Sequence, residues 1–388
     1  MFTFILQRTF QSLLVVILAA LLVHTIMYEV VPYHIGPEQR GWGFVYDTAR
    51  IDAPWPLEFL MWLFTPDGVV PPSPQAREPQ STQTGPRDPV RLIRPMARPP
   101  SIDVEIFGLR IKGSGVLTGD LGYSRHIHPG IPVTEVIASR WGNTLVLVVL
   151  AFIPTLLISI PLGVIAAARR NSWLDHVVTL VSFTGLSIPG YWLGLLLIVF
   201  FAVIAKQLHD MNGWGWLPYF PSGGVATVGQ EGDWLNRLYH LVLPVMALAF
   251  GQIAFVSRYV RFSMLEVLRK DYIRTALAKG LPWSRVVFRH ALRNAIVPVI
   301  TTIALTLPTL VAGTIVIETV FGYAGMGQLF FQAMGGTLAT DRITLPGVVD
   351  YELALILLLL MVTIVVLCNL LADVLYAIFN PRLLTTGQ

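Results

Sequence analysis

The chain has 388 residues, of which 54% are hydrophobic and only 13% charged, and it carries a formal charge of +4. That balance is too apolar for an ordinary soluble domain of this size and marks an integral membrane protein. No basic-aromatic pattern of the kind that binds nucleic acid is present, so the positive charge needs no nucleic-acid partner.

Crossing about 30 Å of hydrocarbon takes roughly 20 predominantly apolar residues. Six stretches meet that length: Thr9–Val31, Thr144–Ala168, Val177–Ala205, Leu238–Val256, Ala295–Val316 and Leu353–Phe379. The expected fold is therefore an all-α integral membrane protein with six transmembrane helices. Arg8, the Arg169-Arg170 pair and the basic loop after the fourth span vote for both termini inside, because short flanking segments rich in Lys and Arg stay in the cytoplasm. The organisation that follows is an anchor helix over 1–31, a large external insert over 32–140, and a five-helix core over 141–388. No small-residue cleavage motif follows the first apolar run, so an uncleaved anchor is expected rather than a signal peptide.

Pro154, Pro161, Pro189, Pro244, Pro298 and Pro308 fall inside the spans, where neighbouring helices can re-satisfy freed backbone groups. They read as kinks set by packing, with hinges of a moving pathway as the alternative. The insert is dense in proline from Pro71 to Pro100 and cannot bury enough apolar surface to offset its ordering entropy. Trp55–Phe64 is apolar but too short to span, which suits the membrane surface, and Asp103–Lys112 alternates like a strand. Trp214, Trp216, Tyr219, Phe220 and Trp234 in the next external loop suit an interfacial aromatic belt, or a docking surface for an external carrier. The loop Phe321–Tyr351 holds Gly322, Gly325, Gly327, Gly335 and Gly336, which suits re-entry at the bilayer mouth, though flexibility is the expectation.

The basic loop over 260–293 is the most informative segment. Nine Lys or Arg residues lie from Arg258 to Arg293, against two acids, Glu266 and Asp271. Good helix formers run through Asp271–Gly280, and Gly280-Leu281-Pro282 then ends the helix with a permissive residue and one that cannot continue the ladder. Ser284 is a suitable N-cap for a second helix over Arg285–Arg293. The pattern predicts a helix–turn–helix elbow.

The residues Asp271-Tyr272-Ile273-Arg274-Thr275-Ala276-Leu277-Ala278-Lys279-Gly280-Leu281, followed by Arg289-His290-Ala291-Leu292-Arg293-Asn294-Ala295 and Pro298, resemble the cytoplasmic coupling loop of ABC importer permeases. They are most similar to the dipeptide, oligopeptide and nickel branch. The general pattern of that family is Glu-Ala-Ala, three residues, Gly, nine residues, then Ile-x-Leu-Pro. Anchored on Gly280, this chain has Arg274-Thr275-Ala276 at the first three positions, then His290, Leu292 and Arg293 for Ile, Leu and Pro, a variant similar to that of the peptide branch. Further landmarks are Gly119-Asp120-Leu121-Gly122-Tyr123-Ser124, Pro161-Leu162-Gly163-Val164, Glu318-Thr319-Val320-Phe321, Gly325-Met326-Gly327, and Asn369 through Pro381-Arg382. The usual Pro-Gly-Asp-Pro after span one is replaced by His34-Ile35-Gly36-Pro37.

The resemblance implies a pore of two permeases, this chain and a second homologous one, powered by two cytoplasmic ATPase subunits and supplied by an external solute-binding protein. It implies ATPase contact at Arg274, Thr275, Ala276 and Gly280, with Lys279, Leu281, Arg285 and Arg289 beside them. Those cations could instead hold the loop cytosolic or meet anionic lipid. Peptides are the implied cargo, and nickel, oligosaccharide or glutathione remain open on the same scaffold. A membrane-embedded enzyme or a passive scaffold are the readings from other classes.

Polar residues inside the bilayer are costly enough to suggest function. Glu318, near the outer end of span five, together with Gln252 and Asn369, is a candidate for the pathway or a gate; Gln252 and Asn369 could equally join helices, and Asp373 could pair with a basic loop residue. No catalytic set is visible. The chain lacks a phosphate-binding Gly-x-x-x-x-Gly-Lys-Ser/Thr loop, so ATP and Mg are expected on partner subunits and no cofactor on this chain. His126 and His128 lack a third metal ligand, and the lone Cys368 can form no intrachain disulfide.

Overall fold

A computed structural model describes residues 2–25, 102–106, 109–113, 121, 124, 127–128, 131–212, 217–336 and 349–379. Most of the proline-rich insert, Trp55–Phe64, Trp214, Trp216, His126 and Pro381-Arg382 lie outside the described residues. The chain divides into two units, one of Met1–Ala20 with Val136–Gln388 and one of Leu21–Glu135.

In the second unit, β1 (Ile102–Ile106) and β2 (Leu109–Gly113) form an antiparallel hairpin. Its register sets Val104 opposite Ile111 and Ile106 opposite Leu109, while Asp103 faces Lys112 and Glu105 faces Arg110. The fold is thus helical apart from this hairpin, a departure from a purely α class among the described residues.

The first unit is built from helices. They are α1 (Phe2–Thr25), α2 (Val133–Ala168), α3 (Trp173–Ser187), α4 (Gly190–Met211), α5 (Trp234–Leu268), α6 (Asp271–Ala278), α7 (Trp283–Val320), α8 (Met326–Ala333) and α9 (Tyr351–Phe379). Among the described residues five stretches are long and apolar enough to cross a membrane, in α2, α4, α5, α7 and α9. The apolar part of α1 over Leu6–Leu22 is shorter. Hydrocarbon offers no hydrogen-bond partners, and several hydroxyls in these helices bond back to their own backbone. Thr155 donates to the Ala151 carbonyl at 2.8 Å, and Thr302, Thr306, Thr309 and Thr314 do the same within α7.

Five of the prolines stay inside continuous helices, as expected. Pro189 does not. The third span is two helices rather than one: Ile188 (φ −85°, ψ 121°) and Pro189 (φ −60°, ψ 136°) are extended, and α4 starts at Gly190. The residue before a proline is pushed out of the helical region, and here that ends α3.

The Gly-rich stretch after α7 is ordered up to Gly336, contrary to the expectation of flexibility; residues 337–348 lie outside the described set. It holds α8, whose Met326, Gly327, Gln328, Leu329, Gln332 and Ala333 are buried. The loop from 217 to 233 is likewise fixed. Gly224 donates to the Phe321 carbonyl at 2.9 Å, and His240 bridges the Gly223 carbonyl (2.8 Å) and the Thr227 hydroxyl (3.1 Å). Phe220 packs edge-on against Phe201, so part of the aromatic belt is internal packing.

At the opposite end, α3 is tied to α5 by a two-pronged ion pair. Arg261 Nε lies 2.5 Å and Nη2 2.9 Å from the carboxylate of Asp175, which also accepts from the Asn171 N–H at 2.9 Å. Asn171 adopts φ +62°, turning the chain between α2 and α3, and Ser172 caps α3 through the Asp175 N–H. Arg258 stacks over the Phe183 ring 4.8 Å from its centre. The hydrogen bond from Arg261 holds the Asp175 carboxyl below the usual carboxylate range. A depressed value means that the pair contributes fully above the unfolded pKa of about 3.9 and is lost as pH falls through the lower folded value. Removing one partner of a buried pair is strongly destabilising, and Arg261 is 28% exposed, which softens the penalty. Asp175→Ala should therefore cost about 2 kcal/mol, read as a lower unfolding midpoint in detergent, with partial recovery in the double variant Asp175→Leu, Arg261→Met.

Candidate functional site

The basic elbow is α6, a turn, and the first turns of α7. Lys270 precedes α6 in an extended conformation, and Asp271 in the first turn complements the positive end of the helix dipole. The exit of α6 is a Schellman turn: the Gly280 N–H donates to the Leu277 carbonyl at 2.9 Å and the Leu281 N–H to the Ala276 carbonyl at 3.4 Å. Gly280 has φ +78°, and a Cβ there would meet nothing within 4 Å. The demand for glycine is thus one of backbone conformation and not of space.

The second arm differs from the expected separate helix. α7 begins at Trp283 with Pro282 as its N-cap, and Ser284 sits inside the first turn without a capping bond. The Val286 N–H reaches the Pro282 carbonyl at 3.1 Å, so the helix starts as soon as the proline permits. From there the chain passes through a π-helical turn, Val286–Ala291, and continues without a break into the membrane span. That turn has a reason in the sequence. Val287, Ala291, Ala295 and Val299 recur every four residues and are all buried in one cluster. In an ideal α-helix such a row drifts by about 40° per step, and a wider turn removes part of the drift. Movement of the elbow is therefore movement of a span end.

Ile273 and Ala276 point inward from α6 onto the same cluster, against Val164 of α2 and Val256, Val260 and Met264 of α5. Asn294 donates to the Tyr272 hydroxyl at 3.1 Å and Ser263 to the Ala295 carbonyl at 2.8 Å, stitching α6, α5 and α7 together. Of the residues expected at the contact, Arg274, Thr275, Lys279, Gly280, Arg285 and Arg289 are exposed and Leu281 is half-buried. Ala276, 7% exposed, is an anchor of the elbow and faces away from any docking surface. Sequence reasoning missed the exposed apolar groups Leu277, Trp283 and Phe288, and the Tyr272–Asn294 tie. Their signal is large side chains interrupting a basic run, where a solvated loop would carry polar ones.

Lys270 and Arg274 make only loose pairs, at 3.5 Å with Glu266 and 3.7 Å with Asp271, both well exposed and worth little. Among the described residues Lys279, Arg285, Arg289 and Arg293 form no ion pair. The elbow thus presents uncompensated positive charge around apolar side chains.

The intramembrane candidates fall in different places. Gln252 of α5 donates to the Thr309 hydroxyl of α7 at 3.0 Å and lines a cavity. Asn369 is exposed on α9, and Asp373 pairs with Arg8 of α1 at 3.5 Å instead of with a loop residue. Glu318 neither reaches water nor pairs with a loop cation. It is fully buried, accepting from the Thr144 hydroxyl (2.7 Å) and the N–H groups of Gly327 (2.7 Å) and Gln328 (3.1 Å). Its carboxylate caps α8, and Thr144 extends the cap by accepting from the Met326 N–H at 2.8 Å. A Cβ on Gly325 would lie 2.4 Å from that carboxylate, and one on Gly327 would lie 2.4 Å from the Ile315 backbone, so the two glycines make room for the group. Nearby, burial pushes the Tyr323 hydroxyl up to about 12, which keeps it protonated. Among the described residues no cluster of His, Cys, Asp or Glu could hold a metal ion.

Glu318→Gln can keep its amide oxygen on the Gly327 and Gln328 N–H groups only by turning its N–H₂ toward the Thr144 hydroxyl, which loses its acceptor, so at least one buried group is left unsatisfied. The expected loss is about 1–3 kcal/mol, measured as a lower unfolding midpoint in detergent. Thr309→Val, which removes one interhelical hydrogen bond along with the hydroxyl's own bond to Thr306, should lose about 0.6 kcal/mol for the interhelical bond in the same assay.

Residues 159–385 match the family described as binding-protein-dependent transport system inner membrane component. The chain is 41% identical over 268 residues to the oligopeptide transport system permease protein AppB of Bacillus subtilis (strain 168), covering 69% of this chain and 77% of that relative. It is 38% identical over 278 residues to the dipeptide transport system permease protein DppB of Escherichia coli (strain K12), covering 69% and 78%. A solved inward-facing structure of the MetNI methionine ABC transporter aligns with a TM-score of 0.45 at 20% identity, over 63% of this chain and 97% of that one.

Proposed function

As a member of the family of binding-protein-dependent transport system inner membrane components, this chain is a multi-pass inner-membrane permease of an ABC transporter, and we propose that it forms half of an import pathway for di- and oligopeptides. The peptide cargo rests on what its relatives carry. The mechanism rests on one structural observation: the second arm of the elbow and the fifth span are a single helix, Trp283–Val320, locked to α5 and to the first arm, α6. A push on the exposed face of the elbow is delivered to the pathway without an intervening flexible link.

In this reading each of two cytoplasmic ATPase subunits receives one elbow, this chain's and that of a second homologous permease. Arg274, Thr275, Lys279, Gly280, Arg285 and Arg289 meet acidic and polar groups of the ATPase, and Leu277, Trp283 and Phe288 fill its groove. ATP and Mg stay on those subunits, and this chain carries no cofactor. An external solute-binding protein delivers cargo at the opposite face. ATP-driven closure rocks the spans between outward and inward access, a rigid-body transition of packed helices.

Six spans with both termini inside is the accompanying topology, α3 and α4 counting as one broken crossing. The Arg8–Asp373 pair supports it, since it joins the start of α1 to the end of α9 and so brings both terminal ends to one side.

The test is ATP-dependent uptake of labelled dialanine by the complete complex in proteoliposomes. A β-branched residue at φ +78° is strongly disfavoured. Gly280→Val is expected to lower uptake at least tenfold while the chain still inserts and copurifies with its permease partner. Uptake at the wild-type rate would remove the elbow from the coupling route.

A further inference from the structure

Where the third crossing breaks, the backbone is left with a polar group that the helix itself cannot satisfy. Pro189 has no N–H, so the carbonyl of Gly185, four residues earlier, lacks its helical donor; the Ile188 N–H is already committed to the Thr184 carbonyl at 3.1 Å. This break opens on a cavity of about 280 Å³ bounded by α3, α4, α5 and α7. The Gly185 carbonyl faces Gly251 on α5, and a Cβ on Gly251 would stand 3.7 Å from it with no other atom within 4 Å. The missing side chain at Gly251 is what leaves the carbonyl uncovered.

Across the cavity, the Thr309 hydroxyl donates to the Thr306 carbonyl at 2.7 Å and accepts from Gln252 at 3.0 Å. That arrangement fixes the Gln252 amide and leaves its oxygen as a second acceptor. No charged side chain lines the cavity. The negative pole at the end of α3 is met by the positive pole at the start of α4, where Gly190 and Tyr191 line the same cavity. Beside them the lining offers two neutral acceptors, the Gly185 carbonyl and the Gln252 oxygen, which suit an N–H-donating group. Irregular backbone at membrane depth is tolerated where it lines a cavity, and Gly251 is the midpoint of α5.

We propose that the α3–α4 break is a substrate subsite of the translocation pathway: the Gly185 carbonyl and the Gln252 amide oxygen accept N–H groups from the amino-terminal end of a short peptide as it passes. The inference rests on the peptide-import reading and adds the residues that hold the cargo. The volume lies at the lower end of ligand pockets, about 300 Å³, which suits the leading end of a peptide and not a long chain held whole. Neutral acceptors also bind weakly enough for release, which a site on a conduction route requires.

The test uses the complete complex, with binding protein and ATPases, in proteoliposomes. Val316, 45% exposed on the cavity wall, becomes a reporter in the background Cys368→Ser, Val316→Cys, where a small charged thiol reagent measures access. Dialanine at a concentration that saturates uptake should slow labelling about fivefold in the presence of ATP. Gly251→Ala in the same background places a methyl over the Gly185 carbonyl without a clash and with improved helix propensity, so misfolding does not explain a loss. It should lower uptake at subsaturating dialanine by about three- to tenfold, the worth of one hydrogen bond, and abolish the protection. An unchanged labelling rate with dialanine, while uptake persists, overturns the subsite and leaves the peptide reading standing. Wild-type uptake of dialanine by Gly251→Ala overturns the subsite equally. A wild-type complex that imports no dialanine overturns the cargo reading and the subsite together.

Discussion

Hydrocarbon supplies no hydrogen-bond partners, and this one constraint governs where the structure can be irregular. A chain that must satisfy its backbone internally is helical across the bilayer, so each departure from a plain helix needs a stated compensation. Most of the departures here have one. Thr155 of α2 and Thr302, Thr306, Thr309 and Thr314 of α7 return to their own helices. The start of α8 is buried, and Glu318 and Thr144 supply the acceptors that its N–H groups need. At Pro189 the compensation is incomplete within the chain, and the uncovered carbonyl opens on a cavity. An unsatisfied group in so strict a solvent is where a passing ligand has most to offer.

The same constraint sets how much is legible in the sequence. Spans are readable because about 20 apolar residues are needed whatever the packing. The elbow is readable because Gly280-Leu281-Pro282 can hardly be anything but a helix end, and the Schellman bonds to Ala276 and Leu277 follow from it. Its cations are exposed, as a basic run implies, but the burial of Ala276 is not legible, because an eight-residue helix gives too little pattern to orient a small side chain. Ser284 resembles a cap for a reason of composition, yet Pro282 two residues earlier already fixes the conformation that starts the helix.

Glu318 is conspicuous in the sequence, and its partners are not. A carboxylate in an apolar run signals a cost that something offsets, but the offset comes from Thr144, far away in the chain, and from a helix whose glycines look like loop. The local clue is the pair Gly325 and Gly327 seven and nine residues after the acid, a spacing that leaves room for a carboxylate against backbone N–H groups. Likewise Pro189 differs from the five kinking prolines in being followed by glycine, the weakest residue for holding a helix together across a kink. Single-residue propensity sees each of these; only packing says which matters.

These local solutions also divide the molecule into parts that move and parts that hold. The cluster beneath the elbow runs without interruption from Ile273 through Val287 and Ala295 to Val299, and its close-packed core cannot yield gradually. The Asp175–Arg261 pair adds α3 to that body, so the end of the broken crossing travels with α5. At the opposite face, Glu318 holds α7 to α8 and α2, and the folded loop from 217 to 233 is bonded to Phe321. In the proposed transport cycle, two firmly tied ends with a glycine-lined break between them would place relative motion at the middle of the bundle. In an alternating-access cycle that is the depth at which a site can be exposed to one side and then the other, and it is where Gly185, Gly251 and Gln252 lie together.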